Sequence, residues 1–511
     1  MNNQMRMKVG RLLALIALFA LAAFPSTAAV PAAGRIVDHP DKLAFEKLEF
    51  VPPAPGDYRH KLKSGVEAYV AENHDVPTFQ LTIHVRAGTL YEPVEKAGVA
   101  EMTAYMMRNG GVEGMTAAQF DERLALLAAE ISVRIDKSKG IVSLFCLSKD
   151  TDEALGLLRR MLRTPAFDQK AIDRHRTDVL SELEQRNAST RDIEDREWDF
   201  LMYGDHPATT RHRRTKATVE AIGRADLSAF HDMHFFPGNF IIAVSGDLGT
   251  KEILAKLDAL LEGWPDRKLS LPAISEAIPE AKPGVYIVPK EDVNQSRIRI
   301  GHLGVKRDIP DQYALMVMND ILGGGGFTSR IVRRVRSDEG LAYSAGSDFD
   351  RPVLYPGTFQ AFFQTRHATA AFGTKLILTE IDSIRTERVD AEVVENSKAS
   401  FVGNLVNPFS TRNNIVNTFA DDEYTGRRDD YWRKYTKNME AVTPEAVLAA
   451  AKTYLHPDKL VFLVVGDPKA VEEGSDKHPE RYSDFGPVTI LPLRDPMTLE
   501  VVGGGAATGG M

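Results

Sequence analysis

The residues with the clearest chemical potential lie on one face of a short predicted helix. Residues 96–107 read KAGVAEMTAYMM, with Gly98 at the start and apolar side chains at helical spacing. Glu101, Ala104 and Tyr105 stand at i, i+3 and i+4, so they share a second face. Two metal ligands one turn apart, with a base between them, need this spacing. Glu101 offers a carboxylate to a metal, but Tyr105 is a poor ligand at neutral pH. The methyl group of Ala104 cannot take a proton from water, so this face has no base.

A second candidate group lies in the segment 335–344, which reads VRSDEGLAYS. Arg336 and Tyr343 can both donate hydrogen bonds to a peptide carbonyl, or to its oxygen as negative charge develops. The alternative is that the two side chains only brace their own loop. The glycine run 323–326 just before them suggests a phosphate cradle, but no Lys-Ser/Thr pair follows and no buried strand precedes it. A P-loop is therefore not predicted.

Three other features have a simpler structural interpretation. Cys146 lies in an apolar, strand-like run, which favours a packing residue over a nucleophile. His231 and His234 are three residues apart in a predicted helix, and without a third ligand nearby in sequence we expect packing rather than metal binding. We interpret the short basic run 211–214 as a solvated loop. The net charge of -8 argues against a nucleic-acid partner, which would need a basic face.

The elements that would position these residues can be read from periodicity and caps. Thr116 is a plausible N-cap for a helix that continues to residue 129. Further patterns predict strands at 63–70 and 78–85, a hairpin of 130–135 with 140–147, and helices at 151–163 and 168–187. Strands and helices thus alternate in blocks, which predicts an α+β fold with helices packed on a sheet.

An internal repeat is the strongest organisational signal. Pro237 and Pro457 stand 220 residues apart, and so do Asp247 and Asp467, within matching patterns of helix, proline break and buried strand. A looser match pairs residues 81–93 with 298–310. The chain is therefore predicted to contain two homologous halves, residues 56–266 and 285–470, joined by the proline-rich linker 267–284.

The two ends of the chain differ from the repeated halves. Basic residues precede the apolar run 12–24, and small residues follow it, so residues 1–29 are predicted to be a secretory signal peptide. An uncleaved anchor is the alternative, although the run is shorter than the roughly 20 residues that a membrane span needs. We expect an exported protein, periplasmic in a Gram-negative bacterium, without a stable span after cleavage. Residues 30–55 read as an extended lead-in, and 471–511 as a partly disordered tail.

Both candidate groups resemble the insulinase-type (M16) metallopeptidase family. The family's zinc helix reads roughly K-x-G-[LV]-A-H-x-x-E-H-M, and residues 98–108 keep this frame without the two histidines and the glutamate. Glu182 stands where the family has its third zinc ligand. The segment 335–344 is similar to the family signature L-R-E-x-x-G-L-A-Y-S, whose Arg and Tyr reach towards the zinc-bound substrate. Arg336 and Tyr343 occupy those two positions.

The resemblance implies a fold and a role. The two halves would each be an M16-type α/β sandwich pair, arranged as a clamshell around a cleft. Positions Glu101, Ala104, Tyr105 and Glu182 would form a degenerate zinc site, with no metal in this chain. Some bacterial M16 enzymes are heterodimers, so the zinc is expected in a partner subunit that carries H-x-x-E-H. This chain would supply substrate binding for hydrolysis of a peptide.

Two other functions remain open from the sequence. The chain could be a binding or scaffold protein without proteolysis, comparable to the M16-like core subunits of respiratory complexes. It could also be an autonomous peptidase with an unusual site built from Glu101, Tyr105 and Glu182.

Overall fold

The structure is a computed structural model that describes His39, residues 50–265 and residues 267–501. The predicted signal peptide, most of the lead-in and the glycine-rich end of the tail lie outside the described residues. Within the described part of the chain, no helix is both long and apolar enough to cross a membrane.

The first half is built on a six-stranded mixed sheet in the order β1-β2-β6-β3-β5-β4. Its strands are β1 Arg59–Lys61, β2 Glu67–Glu72, β3 Thr78–Val85, β4 Glu130–Ile135, β5 Gly140–Leu147 and β6 Phe240–Gly246. The central β6 runs parallel to β2 and antiparallel to β3, and all of its residues are buried. A strand that is apolar throughout indicates a sheet covered on both faces. The predicted β4–β5 hairpin is confirmed.

Five of the eight helices described in the first half match predicted segments, and the other three, at 190–203, 216–221 and 250–261, were not predicted. The eight helices are α1 Val99–Asn109, α2 Ala117–Leu126, α3 Thr151–Arg163, α4 Gln169–Gln185, α5 Thr190–Tyr203, α6 Lys216–Ala221, α7 Arg224–His234 and α8 Thr250–Leu261. Thr116 caps α2 through a capping box with Gln119, as its position predicted. Apolar side chains of α1, α3, α7 and α8 share one core with the sheet.

The second half repeats this plan around a sheet in the order β12-β7-β11-β8-β10-β9. Its strands are β7 Gly284–Pro289, β8 Gln295–Leu303, β9 Ala345–Phe349, β10 Thr358–Arg366, β11 Val461–Gly466 and β12 Val488–Ile490. Its helices are α9 Gln312–Asn319, α10 Arg330–Val332, α11 Ala370–Thr386, α12 Ala391–Asn404, α13 Arg412–Thr425, α14 Tyr431–Glu440, α15 Pro444–Tyr454 and α16 Pro468–Glu473. The central β11 runs parallel to β7 and antiparallel to β8, as β6 does to its neighbours. The predicted relation between the two halves is confirmed.

The tail adds a strand that the sequence patterns did not predict. In the first sheet the outer strand β1 precedes β2 and pairs with it antiparallel, whereas in the second sheet β12 comes from the tail and pairs parallel with β7. Tyr482, just before β12, is fully buried and hydrogen-bonds Thr374 at 3.1 Å. Residues 482–490 are therefore part of the second half. The disorder predicted for the end of the tail concerns residues outside those described.

The halves are held together because each places a helix on the sheet of the other. Helix α5 packs on β8 and β11, where Ile193 and Trp198 join a core with Leu463. Helix α13 packs on β2, β3 and β6, and the ring of Phe419 lies 6.2 Å from that of Tyr69, centroid to centroid. This reciprocal packing covers the second face of both sheets, which explains why both central strands are buried throughout.

A buried ion cluster accompanies this exchange. Glu194 on α5 is fully buried, and its Oε2 accepts hydrogen bonds from Arg297 at 3.0 Å and from Arg299 at 2.9 Å, both on β8. One buried carboxylate thus compensates two guanidinium groups of the other half. Losing one member of such a cluster leaves a desolvated charge without a counter-charge.

We expect Glu194→Gln to lower the free energy of unfolding by about 3–5 kcal/mol, because Arg297 loses its buried counter-charge and Arg299 keeps only Asp195. Urea unfolding monitored by circular dichroism measures this loss. Asp205→Asn is the control, since the Asp205 side chain is fully exposed where it pairs with Arg213, and its midpoint should not move. A Glu194→Gln protein as stable as the wild type would contradict this account of the interface.

Candidate functional site

The degenerate zinc helix α1 begins at a backbone turn that suits its sequence. Gly98 has φ of 105°, in the left-handed region that favours glycine. A Cβ at Gly98 would lie 3.0 Å from Cδ of Arg214, so the missing side chain leaves room for that arginine. Glu92 accepts hydrogen bonds from the N–H groups of Gly98 at 3.1 Å and Ala100 at 2.6 Å. The helix start is thus fixed by a buried carboxylate.

The predicted zinc-site positions lie near one another but differ in exposure. Glu101 and Tyr105 line a cavity of about 240 Å³ together with Glu182, which projects from α4. Ala104 lies instead in the apolar core of the first half, and its side chain is buried. The structure therefore brings three of the four positions to one cavity, and it places the fourth, Ala104, in the core.

Cations that the sequence analysis did not assign here already compensate Glu101. The Nη1 of Arg214 donates to Glu101 Oε2 at 2.7 Å, and the Nε of Arg211 lies 3.3 Å from Oε1. The interpretation of residues 211–214 as a solvated loop is wrong, because two of its arginines face this cavity and Arg213 pairs with Asp205. The spare carboxylate at position 101 was the signal in the sequence, since a partly buried carboxylate needs a cation.

Tyr105 is covered by another residue that sequence reasoning missed. The imidazole of His175, on α4, stacks on the Tyr105 ring with the centroids 3.6 Å apart and the planes 5° apart. Burial holds the pKa of His175 below its usual value, so the ring is neutral at neutral pH and stacks without bringing a charge. One face of the Tyr105 ring is therefore covered by a neutral imidazole, while the side chain remains 40% exposed.

These residues do not fit a catalytic zinc ion. Catalytic zinc takes three protein ligands and keeps one position open for water. Here Glu101 is held by two guanidinium groups, and Tyr105 is covered by His175. Within residues 50–265 and 267–501, no cluster of three or more His, Cys, Asp or Glu side chains is placed to hold a metal ion. In this chain Arg214 and Arg211 provide the positive charge beside Glu101 that a metal ion would provide in a metalloenzyme.

The purified chain, incubated with zinc and then dialysed, is expected to retain well below one zinc ion per chain, because the cavity around Glu101 already contains its cations. Elemental analysis by mass spectrometry measures the retained metal. Stoichiometric zinc, lost on Glu101→Gln or Glu182→Gln, would overturn this interpretation and support the autonomous peptidase.

The second candidate group consists of a half-buried arginine held by two exposed aromatic rings. Arg336 lies in the π-helical turn Arg333–Asp338, and its guanidinium carbon is 4.4 Å from the ring centroid of Phe327 and 4.6 Å from that of Tyr343. Tyr343 is 86% exposed and Phe327 is 66% exposed. A guanidinium between two rings keeps its in-plane N–H groups free to donate. Sequence reasoning missed Phe327, although a lone aromatic residue directly after a glycine run is a usable signal.

Comparison with models of known protein families identifies the family of this chain. Residues 68–204 match the model of insulinase, peptidase family M16, and residues 221–401 match the model described as the peptidase M16 inactive domain. The chain belongs to the M16 peptidase family.

Similar M16 proteins come from several bacteria. The non-peptidase homolog YmxG of Helicobacter pylori is 21% identical over 409 residues, which is 78% of this chain and 91% of that protein. An uncharacterized zinc protease of Rickettsia felis is 21% identical over 388 residues, or 76% of this chain and 89% of that protein. The crystal structure of a peptidase M16 inactive domain from Pseudomonas fluorescens covers 80% of this chain and 97% of its own, with a TM-score of 0.73 and 24% identity. That likeness concerns the fold.

The two candidate groups of this M16 chain do not form one site. No residue of the cavity around Glu101 comes from the segment that contains Phe327, Arg336 and Tyr343. The two rings are exposed and Arg336 is half-buried beneath them, all within the second half.

The remaining histidine pair has a structural role in this M16 chain. His231 and His234 are buried on α7, and each uses a ring nitrogen to bond a backbone carbonyl: Nε2 of His231 to Leu162 at 2.9 Å and Nδ1 of His234 to Arg86 at 3.0 Å. The expectation of packing histidines is confirmed. Cys146 is buried in β5, as predicted.

Glu92 gives the helix of the degenerate site a measurable pH dependence. Burial raises the pKa of Glu92 to about 7 from the ordinary 4.5, although the N–H groups of Gly98 and Ala100 oppose this shift. Because the folded protein binds this proton more tightly than the unfolded chain, Glu92 costs stability as the pH rises from 4.5 towards 7.

We expect Glu92→Gln to gain stability relative to the wild type by about 3 kcal/mol between about pH 5 and about pH 8, because the variant has no buried carboxyl to ionise. Urea titrations across this range measure the difference in free energy of unfolding. Glu95→Gln, at an exposed position of the same loop, should follow the wild type at every pH. If the difference in free energy of unfolding between Glu92→Gln and the wild type did not change with pH, the assignment of a raised pKa to Glu92 would be contradicted.

Proposed function

We propose that this chain is a non-catalytic, substrate-binding subunit of an exported heteromeric M16 zinc peptidase. The observation that carries the proposal is the contrast between its two candidate groups. The carboxylate at the degenerate zinc position is compensated by Arg211 and Arg214, whereas Arg336 has no carboxylate partner among the described residues and is held by two exposed rings. A partner with H-x-x-E-H would provide the metal and the base, and this chain would bind and orient the peptide.

The surface around Arg336 suits recognition across a subunit boundary. Arginine and tyrosine are enriched among the residues that dominate binding energy at protein interfaces. Stacking on Phe327 and Tyr343 restricts the long side chain of Arg336 before any ligand arrives, which lowers the entropy cost of binding. In the described part of the chain no carboxylate pairs with Arg336, so its charge is available.

The chemistry of these donors is specific. The guanidinium of Arg336 can donate to a peptide carbonyl oxygen, and the phenol of Tyr343 can donate to the same or the next carbonyl. Such donors accelerate hydrolysis when they bind the oxygen more strongly as it becomes negative. In this proposal the residues of this chain stabilise the substrate and its developing charge but move no proton.

A scaffold function without proteolysis is the second candidate. It is favoured by the complete charge compensation of Glu101, which makes the former zinc position a stable structural cluster, and by the name of the H. pylori relative, a non-peptidase homolog. It predicts stable complexes with other proteins but no peptide cleavage in any mixture.

Mixing this chain with an M16 subunit that carries H-x-x-E-H is expected to produce peptide cleavage that neither chain performs alone. Arg336→Ala should lower kcat/KM roughly a hundredfold, since it removes a charged donor to the substrate oxygen. Tyr343→Phe keeps the ring over Arg336 and should lose only the contribution of the hydroxyl. Arg333→Ala, at an exposed position of the same turn, is the matched control.

Three outcomes separate the candidates. Variants at Arg336 and Tyr343 that cleave as well as the unmodified complex would refute a substrate-binding role. A complex that forms but never cleaves a broad peptide library would favour the scaffold. Export is tested separately, by sequencing the N-terminus of the mature protein from the periplasmic fraction of its host.

A further inference from the structure

A cavity of about 470 Å³ lies in the cleft between the two halves. The first half lines it with residues of α4, α5 and the segment before α6, and the second half with residues of β8, β9 and β10. Its wall is dominated by charged side chains, in contrast to the apolar cores on either side. The first half contributes four arginines to this wall, of which Arg211 pairs with Glu101. The other three are Arg186, Arg196 and Arg214.

These arginines have guanidinium nitrogens without acceptors. Arg196 is 2% exposed, and its Nε and Nη1 donate to Glu197 at 2.9 Å and to Asn187 at 3.0 Å, but its Nη2 has no acceptor among the described residues. Arg186 donates from Nη1 to the backbone oxygen of Arg214 at 2.8 Å, and its Nε and Nη2 have none. The buried Nε of Arg214 is also unpartnered. Buried donors in native proteins are normally paired, so a missing acceptor is indicated.

The charges around Arg186 point the same way. No carboxylate within the described part of the chain pairs with its guanidinium. Burial and the neighbouring guanidinium groups of Arg196 and Arg214 lower the pKa of Arg186 to about 10, although the charges of Asp495 and Glu197 oppose this shift. A half-buried cation beside two others is costly unless an anion joins them.

The carboxylates near these three arginines either share their charge with other cations or form no ion pair with the arginines. Glu197 is shared between Arg196 and Arg494, whose Nε lies 3.1 Å from it, and Glu101 is held by Arg214 and Arg211. Glu182 and Asp192 line the same cavity, but neither forms an ion pair with any of the three arginines. Four more carboxylates line the cavity: Asp195 pairs with Arg299, Asp199 pairs with Lys137, and Asp348 and Asp350 lie on the wall of the second half. Among the described residues none of these acids pairs with the three arginines, so their buried nitrogens stay without acceptors.

We propose that the cavity binds an oxyanion between Arg186, Arg196 and Arg214. A carboxylate or a phosphate presents several oxygen acceptors to guanidinium donors. Such acceptors are what these nitrogens lack. The shared chemistry is an anionic oxygen group, either free or carried by an acidic peptide in the cleft. This site is distinct from the surface around Arg336 and does not depend on the proposed peptidase partner.

Isothermal titration calorimetry of the full chain tests the site with two probes. The first is inorganic phosphate, and the second is the blocked peptide acetyl-Gly-Glu-Gly-amide, with acetyl-Gly-Gln-Gly-amide as its neutral match. We expect saturable binding at one site for at least one anionic probe and none for the neutral peptide. Phosphate binding alone would identify a free anion, and tighter binding of the glutamyl peptide would identify a peptide-borne carboxylate.

Arg186→Gln is expected to weaken the binding at least tenfold, because it removes the guanidinium without a carboxylate partner. Arg174→Gln, at an exposed position of the same helix α4, should bind as the wild type does. Arg186→Lys keeps the charge but loses the forked donor, and should bind several-fold more weakly than the wild type. This variant also serves if the glutamine variant does not fold, as judged by circular dichroism.

Two results would overturn the proposal. One is the absence of saturable binding of both phosphate and the glutamyl peptide to the wild type. The other is equal affinity of the wild type and of a folded Arg186 variant for the probe that binds.

Discussion

Glu194 lies buried between Arg297 and Arg299, at the point where a helix of one half crosses the sheet of the other. The rest of the architecture depends on this reciprocal crossing. A sheet with an apolar central strand such as β6 or β11 must be covered on both faces, and each half contains the second cover of the other. The two halves are thus one folding unit in practice, because separation would expose two apolar sheet faces and leave buried charges without partners.

The same rule of charge compensation explains the degenerate zinc position. At this position α1 presents a carboxylate, a methyl group and a phenol. Arg214 and Arg211 compensate the carboxylate of Glu101, and His175 covers one face of the Tyr105 ring. The backbone at Gly98 and the carboxyl of Glu92 fix the start of α1.

Arg336 shows the opposite treatment of a charge. It is half-buried and has no carboxylate partner among the described residues, yet it is restricted by the exposed rings of Phe327 and Tyr343, which neutralise no charge and block no in-plane donor. The cleft between the halves contains a third arrangement, in which Arg196 is buried, Arg186 is half-buried, and both are incompletely paired. The three arrangements, paired with a carboxylate, held by aromatic rings and lacking an acceptor, assign different roles to arginines that look alike in the sequence.

The sequence by itself determined the repeated halves, the hairpin β4–β5, the capped helix α2 and the positions of both candidate groups. These features depend on local periodicity, turn residues and spacing, which neighbouring residues in the chain set among themselves. It did not predict the strand β12, the stacking of His175 on Tyr105, the contact of Phe327 with Arg336, or the true place of Arg211 and Arg214. Except for Phe327 and Arg336, which lie nine residues apart, each of these joins residues far apart in the chain, through packing or charge. The sequence can indicate that a carboxylate or a ring needs a partner, but only the tertiary structure decides which residue the fold brings near it.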